Sequence, residues 1–129
     1  MVNVLRVIRV APQITKELHQ FMQVLKLPGG KALGMTALAH TYAVAGKRAE
    51  AQKNLDQLLQ LSRQQYVAPG LIAIIYVGLG DKDKAFAWLG EADKARDLNV
   101  VRLNIEPRFD SLRSDPRFAS LVRRVGLPQ

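Results

Sequence analysis

A period of 34 residues in the middle of this chain narrows its fold more than any other feature of the sequence. Advancing the sequence by 34 sets Ala39 on Ala73, Tyr42 on Tyr76, Gly46 on Gly80, Ala51 on Ala85 and Leu55 on Leu89, with Leu38 on Ile72 as a conservative match. Self-similarity at such a period belongs to architectures in which one supersecondary unit cannot bury its apolar face alone and is stacked on its neighbours. Within each unit Leu38 and Tyr42, or Ile72 and Tyr76, lie four apart and share a helix face. A glycine then stands where the helix ends, and a second helix follows. The spacing predicts helices near 32–45, 48–62, 68–79 and 82–96, hence an all-α fold of antiparallel helix pairs in two units, 32–65 and 66–99.

The chain has 129 residues, which suits one domain with a continuous core of stacked helices. It has no cysteine, so disulfides and thiolate chemistry are excluded. The longest apolar run, residues 67–80, is interrupted by Pro69, Gly70 and Gly78 and falls short of the ~20 residues of a membrane span. Residues 1–10 are apolar but contain Arg6 and Arg9 and lack a cleavage site, which reads against a secretory signal. The expected location is the cytoplasm. The formal charge is +8, and the excess sits at the ends: residues 1–31 hold five basic residues against one acid, and residues 100–129 hold six against three, whereas residues 66–99 are slightly acidic. Such a balance suits either solvated helix faces or an acidic partner.

Residues 1–11 match no single element. From Pro12, residues Ile14, Leu18, Phe21, Met22 and Leu25 recur at spacings of three and four, opposite Lys16, Glu17, Gln20 and Gln23, as in an amphipathic helix. Shifted by 34, Phe21 falls on Leu55 and Val24 on Leu58, so residues 12–31 form a degenerate half repeat. Leu27, Pro28, Gly29 and Gly30 then stop the helix. Pro28 to Lys31 is no phosphate loop, because Leu25 and Ala32 stand where a glycine and a hydroxyl residue are needed. Gly78 and Gly80 lie at a helix end rather than after a strand, which removes a dinucleotide reading. Asp81 is a suitable N-cap for the helix that follows. Ala85, Leu89 and Ala92 make that helix's packing stripe, with Phe86 and Trp88 beside it.

After Asn99 the period gives way to a shorter duplication, Glu106-Pro107-Arg108-Phe109 and Asp115-Pro116-Arg117-Phe118. Each puts an acid at the N-cap and proline at the first helical position. The second opens a helix over 116–125 with Phe118, Leu121, Val122 and Val125 on one face and Arg117, Arg123 and Arg124 off it. This helix is expected to cap the stack over residues 106–127, as the only later segment able to cover the apolar stripe of the last repeat.

The two units resemble the tetratricopeptide repeat in the small residues Ala39 and Ala73, the aromatics Tyr42 and Tyr76, the turn glycines Gly46 and Gly80, the alanines Ala51 and Ala85, and the bulky Leu55 and Leu89. Met35 and Pro69 depart from the aromatic common at their position, Leu58 replaces the small residue kept as Ala92, and no proline closes either unit at Arg63 or Asp97. The tail, together with residues 80–86, is similar to the C-terminal repeat arrays of bacterial multidomain regulators. The resemblance implies a stacked α-solenoid with a right-handed superhelix and an accessory role beside a signalling or transcription regulator, with no catalytic residue.

Nothing in the sequence assembles a catalytic or metal site. His19 and His40 stand on separate helices with no cysteine and no carboxylate at ligand spacing, and no nucleophile elbow or zinc-protease motif occurs. The sequence therefore reads as a noncatalytic interaction or scaffold module without a cofactor. By the resemblance, the first helix of each repeat lines a concave groove whose exposed positions are Leu33, Thr36, His40, Ala43 and Val44, then Val67, Gly70, Ile74, Val77 and Gly78. That mostly apolar set suits a protein or peptide partner with an apolar or helical segment, or a second copy of the chain held through the groove or the N-terminal segment. The alternative is nucleic acid or another polyanion bound by the basic ends: Arg6, Arg9, Lys16 and Lys26 at one, and Arg113, Arg117, Arg123 and Arg124 at the other. No aromatic residue interleaves with these cations for base stacking.

Overall fold

The computed structural model describes residues 30–127. The unassigned segment 1–11, the helix expected from Pro12 with His19, the basic residues Arg6, Arg9, Lys16 and Lys26, and the turn expected at Leu27 to Gly29 lie outside the described residues. Among the described residues there are six α-helices and one 3-10 helix and no strand. The helices are α1 (Gly30–Val44), α2 (Arg48–Leu61), α3 (Pro69–Leu79), α4 (Lys82–Lys94), α5 (Leu98–Val101), the 3-10 helix (Pro107–Leu112) and α6 (Pro116–Val125). The chain divides into two compact units, Met1–Val67 and Ala68–Gln129, so the boundary falls two residues past the end of the first repeat.

In the first unit α1 and α2 pack on each other, joined by Ala45, Gly46 and Lys47. A connection this short between packed helices reverses the chain. The reversal is made by Gly46 at φ 81°: its amide donates to the Ala43 carbonyl and that of Lys47 to the Tyr42 carbonyl, at 3.1 and 2.8 Å. This bond pair is a Schellman end, in which a residue without a Cβ adopts the left-handed conformation at least cost. α2 contributes Ala51, Leu55 and Leu58, all fully buried and spaced on one face. α1 is built from small side chains, and Ala37, Ala39 and Tyr42 are its most deeply buried apolar residues. Burial, with Glu50's charge beside it, pushes the Tyr42 phenol above its usual range.

The second unit repeats the device with α3 and α4. Gly80, at φ 79°, donates to the Val77 carbonyl and Asp81 to that of Tyr76, both at 3.0 Å. Asp81 then caps α4 by accepting from the Lys84 amide at 3.1 Å. Ala73, Ala85 and Leu89 are fully buried, like Ala39, Ala51 and Leu55 at the same offset. The match is incomplete at the aromatic: Tyr42 is buried, whereas Tyr76 is partly exposed with the Lys84 ammonium 5.5 Å from its ring centre. α3 carries no charged side chain, and Gly70 to Ile75 are buried without a break, while Tyr76, Val77 and Gly78 near its end are partly exposed.

Three further segments complete this unit. α5 and the 3-10 helix pack against α3, while α6 packs against α4. The expectation that Pro116–Val125 alone covers the last repeat is corrected here. Leu103, Phe109 and Leu112, from the turn after α5 and from the 3-10 helix, are fully buried, and α6 adds Phe118, Leu121 and Val122. Burying side chains of this size is worth roughly 1.5–3 kcal/mol each before ordering entropy is subtracted. The covering layer thus begins at Leu103, thirteen residues before Pro116, because turns and a 3-10 helix present their apolar residues without a 3.6 period.

Candidate functional site

The predicted groove positions divide by burial. Leu33 and Val44 are exposed, at 50% and 62%, and His40, Val77 and Gly78 are partly exposed. Thr36, Ala43, Val67, Gly70 and Ile74 are buried, so the expectation that these five line an exposed surface fails. The physical reasons are local. Thr36 donates its hydroxyl to the Ala32 carbonyl at 2.8 Å and so needs no water, and Ile74 belongs to a helix with no polar side. Gly70 is pressed against the tail, where an added Cβ would stand 2.5 Å from Asn99 Cβ and 2.9 Å from Asp97 Oδ2.

That contact exposes a residue the sequence reading missed. Asp97, 6% exposed, accepts three hydrogen bonds: Oδ2 from the Gly70 amide at 2.7 Å, and Oδ1 from the Asn99 amide and side-chain Nδ2 at 2.9 and 2.8 Å. The residue before α3 is Ala68, which has no side-chain acceptor, and the first helical residue, Pro69, has no amide hydrogen. Asp97 supplies from 27 residues away the cap that α3 lacks, while capping α5 locally. An aspartate two before an asparagine at a helix start was the available signal. Its second role could not be read from spacing.

The basic tail is organised by the duplicated motif. Glu106 accepts from the Arg108 amide at 3.1 Å and from Arg108 Nε at 2.8 Å; Asp115 does the same with Arg117 at 2.9 and 3.1 Å. Each arginine adds an Nη2 bond to the second carboxylate oxygen, at 3.3 and 2.8 Å. Burial pushes the Glu106 carboxyl up, but the side-chain and amide bonds from Arg108, helped by the charges of Arg108 and Arg102, hold it below the ordinary range. The bonds from the Arg117 side chain and amide bring Asp115 down to about 2. The bonds to Asp115 and Asp83 push the Arg117 guanidinium up in turn.

Of the four candidate polyanion contacts, three are engaged with acids of the same unit. Arg117 reaches Asp83 on α4 through Nη1 at 2.8 Å and lies over the Phe86 ring at 4.6 Å. Arg113 binds Asp110 at 2.9 Å and the Asn104 carbonyl, and stands 5.5 Å from the Phe118 ring centre. Arg124 Nε lies 3.3 Å from Asp93. Arg123 meets the Ser120 hydroxyl at 3.3 Å and makes no ion pair among the described residues. Between α4 and α6 lies an open depression of about 340 Å³, lined by Asp83, Phe86, Ala87, Arg117, Ser120, Leu121 and Arg124. A separate apolar strip, Leu98, Val101 and Ile105, is exposed along α5 and the following turn.

Comparison with family models, with curated proteins and with solved structures finds no match to this chain. Among the described residues, no helix is long and apolar enough to cross a membrane, and no group of three or more His, Asp or Glu is placed to hold a metal ion.

Proposed function

We propose that this chain is a noncatalytic helical-repeat interaction module of the tetratricopeptide type, a stacked α-solenoid of right-handed sense closed by its C-terminal segment, acting as a scaffold or accessory to a bacterial cytoplasmic regulator. The observation that supports it best is the equivalence of environment at one offset: Ala39 and Ala73, Ala51 and Ala85, and Leu55 and Leu89 are all fully buried, and Gly46 and Gly80 end their helices with the same pair of hydrogen bonds. Units of this kind present helix surfaces to protein partners rather than assembling reactive groups. The exposed members of the first helix, Leu33 and Val44 with His40 beside them, are where an apolar or helical partner segment, or a second copy, would meet the first unit.

A pull-down from the native lysate at low and high salt tests this reading. Retention of one protein at both salt concentrations, lost in a Leu33→Glu, Val44→Glu double variant, is the expected outcome. Retention of nucleic acid at low salt alone would overturn it in favour of polyanion binding, whose affinity falls steeply as salt rises.

A further inference from the structure

The two ends of the depression between α4 and α6 differ, because among the described residues three hydrogen bonds hold Arg117 at one end and Arg124 at the other is held by a single ion pair. At the first end Arg117 spends Nε and Nη2 on Asp115 and Nη1 on Asp83, while its plane covers Phe86. At the second end Arg124 is 61% exposed and has only Nε near an acid, at 3.3 Å from Asp93; neither of its terminal nitrogens donates a hydrogen bond among the described residues. Arg123 and the Ser120 hydroxyl stand beside it at 3.3 Å from each other. Ser120, Arg123 and Arg124 are three and four apart, so they are neighbours on one side of α6. This end has unused donors, with one acid, Asp93, beside Arg124, and the lining next to it includes the partly exposed Phe86 and the exposed Ala87.

We infer that this groove docks a short acidic segment of a partner protein, with an apolar side chain beside Phe86 and Ala87 and a neighbouring carboxylate held by Arg124, Arg123 and Ser120. The inference rests on reading the chain as an interaction module, and it names a place and a partner chemistry for it. Charge complementarity selects the occupant. Guanidinium groups with unused donors match carboxylates in paired geometry. A nucleic-acid backbone fits less well, since it brings no apolar side chain to cover Phe86 and Ala87 beside the arginines.

The test is a nitrogen-15 NMR titration of the full chain with an acetylated, amidated hexapeptide carrying Leu-Phe between two pairs of glutamates. Saturable shifts at the amides of Ala87, Ser120, Leu121 and Arg124 are expected. The Arg123→Gln, Arg124→Gln double variant should weaken binding by at least about tenfold, the size of a lost charge-assisted hydrogen bond. Replacing the peptide's glutamates by lysine, or its Leu-Phe by alanines, should weaken it as much. No saturable shift at these amides up to about 1 mM peptide, or shifts indifferent to the double variant, would overturn the inference. Displacement of the peptide from these residues by a short oligothymidine would overturn it too, in favour of a polyanion site. Shifts confined to Leu33, His40 and Val44 would reject this groove while leaving the interaction-module reading intact.

Discussion

The Gly70 amide donates to the buried Asp97 carboxylate at 2.7 Å, and this bond ties the start of α3 to the start of the tail across 27 residues. The absence of a side chain at Gly70 lets Asn99 approach, and Asp97 holds it there. Gly70→Ala should therefore destabilise the protein by about 1–3 kcal/mol, the range for forcing an extra carbon into packed surroundings. Asp97→Ala should cost on the order of 1–3 kcal/mol for each buried amide it strips of its acceptor. Urea unfolding checks both, and a Gly70→Ala midpoint equal to wild type would show that the contact is loose.

Arg96 is the only non-glycine residue with positive φ among those described, at 57°. It ends α4 as Gly46 and Gly80 end theirs, with its own amide donating to the Asp93 carbonyl at 3.2 Å and that of Asp97 to the Ala92 carbonyl at 2.9 Å. A side chain in this conformation costs roughly 1–2 kcal/mol, and glycine there loses about 0.5–1 kcal/mol through greater freedom of the unfolded chain. Arg96→Gly should thus raise stability by up to about 1 kcal/mol, whereas Gly80→Ala should lower it by about 1 kcal/mol or more. Thermal unfolding of the two variants should move in opposite directions.

Acid should loosen the tail through Asp115. Its folded pKa, about 2, lies below the ordinary 3.8 because Arg117 donates to it from side chain and backbone. For a carboxyl lowered by folding, the stabilisation is complete above the unfolded value and is lost as pH falls through the folded one. The contribution should be intact at pH 5 and decline between about pH 4 and pH 2, with Glu106 acting in the same sense. Helix content followed by circular dichroism should fall less steeply over this range in Asp115→Asn, which keeps an acceptor for the Arg117 amide without the titrating charge.

Deleting residues 107–129 should lower the melting temperature and promote aggregation, since it removes the buried Phe109, Leu112, Phe118, Leu121 and Val122 together. Phe109→Ala alone should cost about 3–5 kcal/mol, as for aromatic truncations in a core. Arg123→Ala with Arg124→Ala should change stability little, because exposed pairs such as Arg124 with Asp93 contribute about 0–1 kcal/mol. A deleted chain that stays soluble and melts where the full chain does would show the tail to be a free arm.

The helix pattern was legible from residue order because its causes are local. Gly46, Gly80 and Gly126 all take the left-handed conformation at helix ends, and Asp81, Glu106 and Asp115 all accept amide hydrogens two or three residues ahead. The four main helices accordingly lie within two residues of the bounds read from spacing, and α6 matches them. What spacing could not decide was which side of a helix is covered, since that depends on segments distant in sequence. Ile74 and Thr36 are buried although a repeat register puts them on an open face, and Tyr76 is partly exposed although its counterpart Tyr42 is enclosed. The same holds for charge. Composition counts Arg117 and Asp83 as separate solvated ions, 34 residues apart, and only tertiary packing brings them to 2.8 Å over the ring of Phe86. Local backbone preference is written residue by residue, whereas burial, ion pairing and the cap that Asp97 lends to α3 are properties of neighbours that only the folded chain supplies.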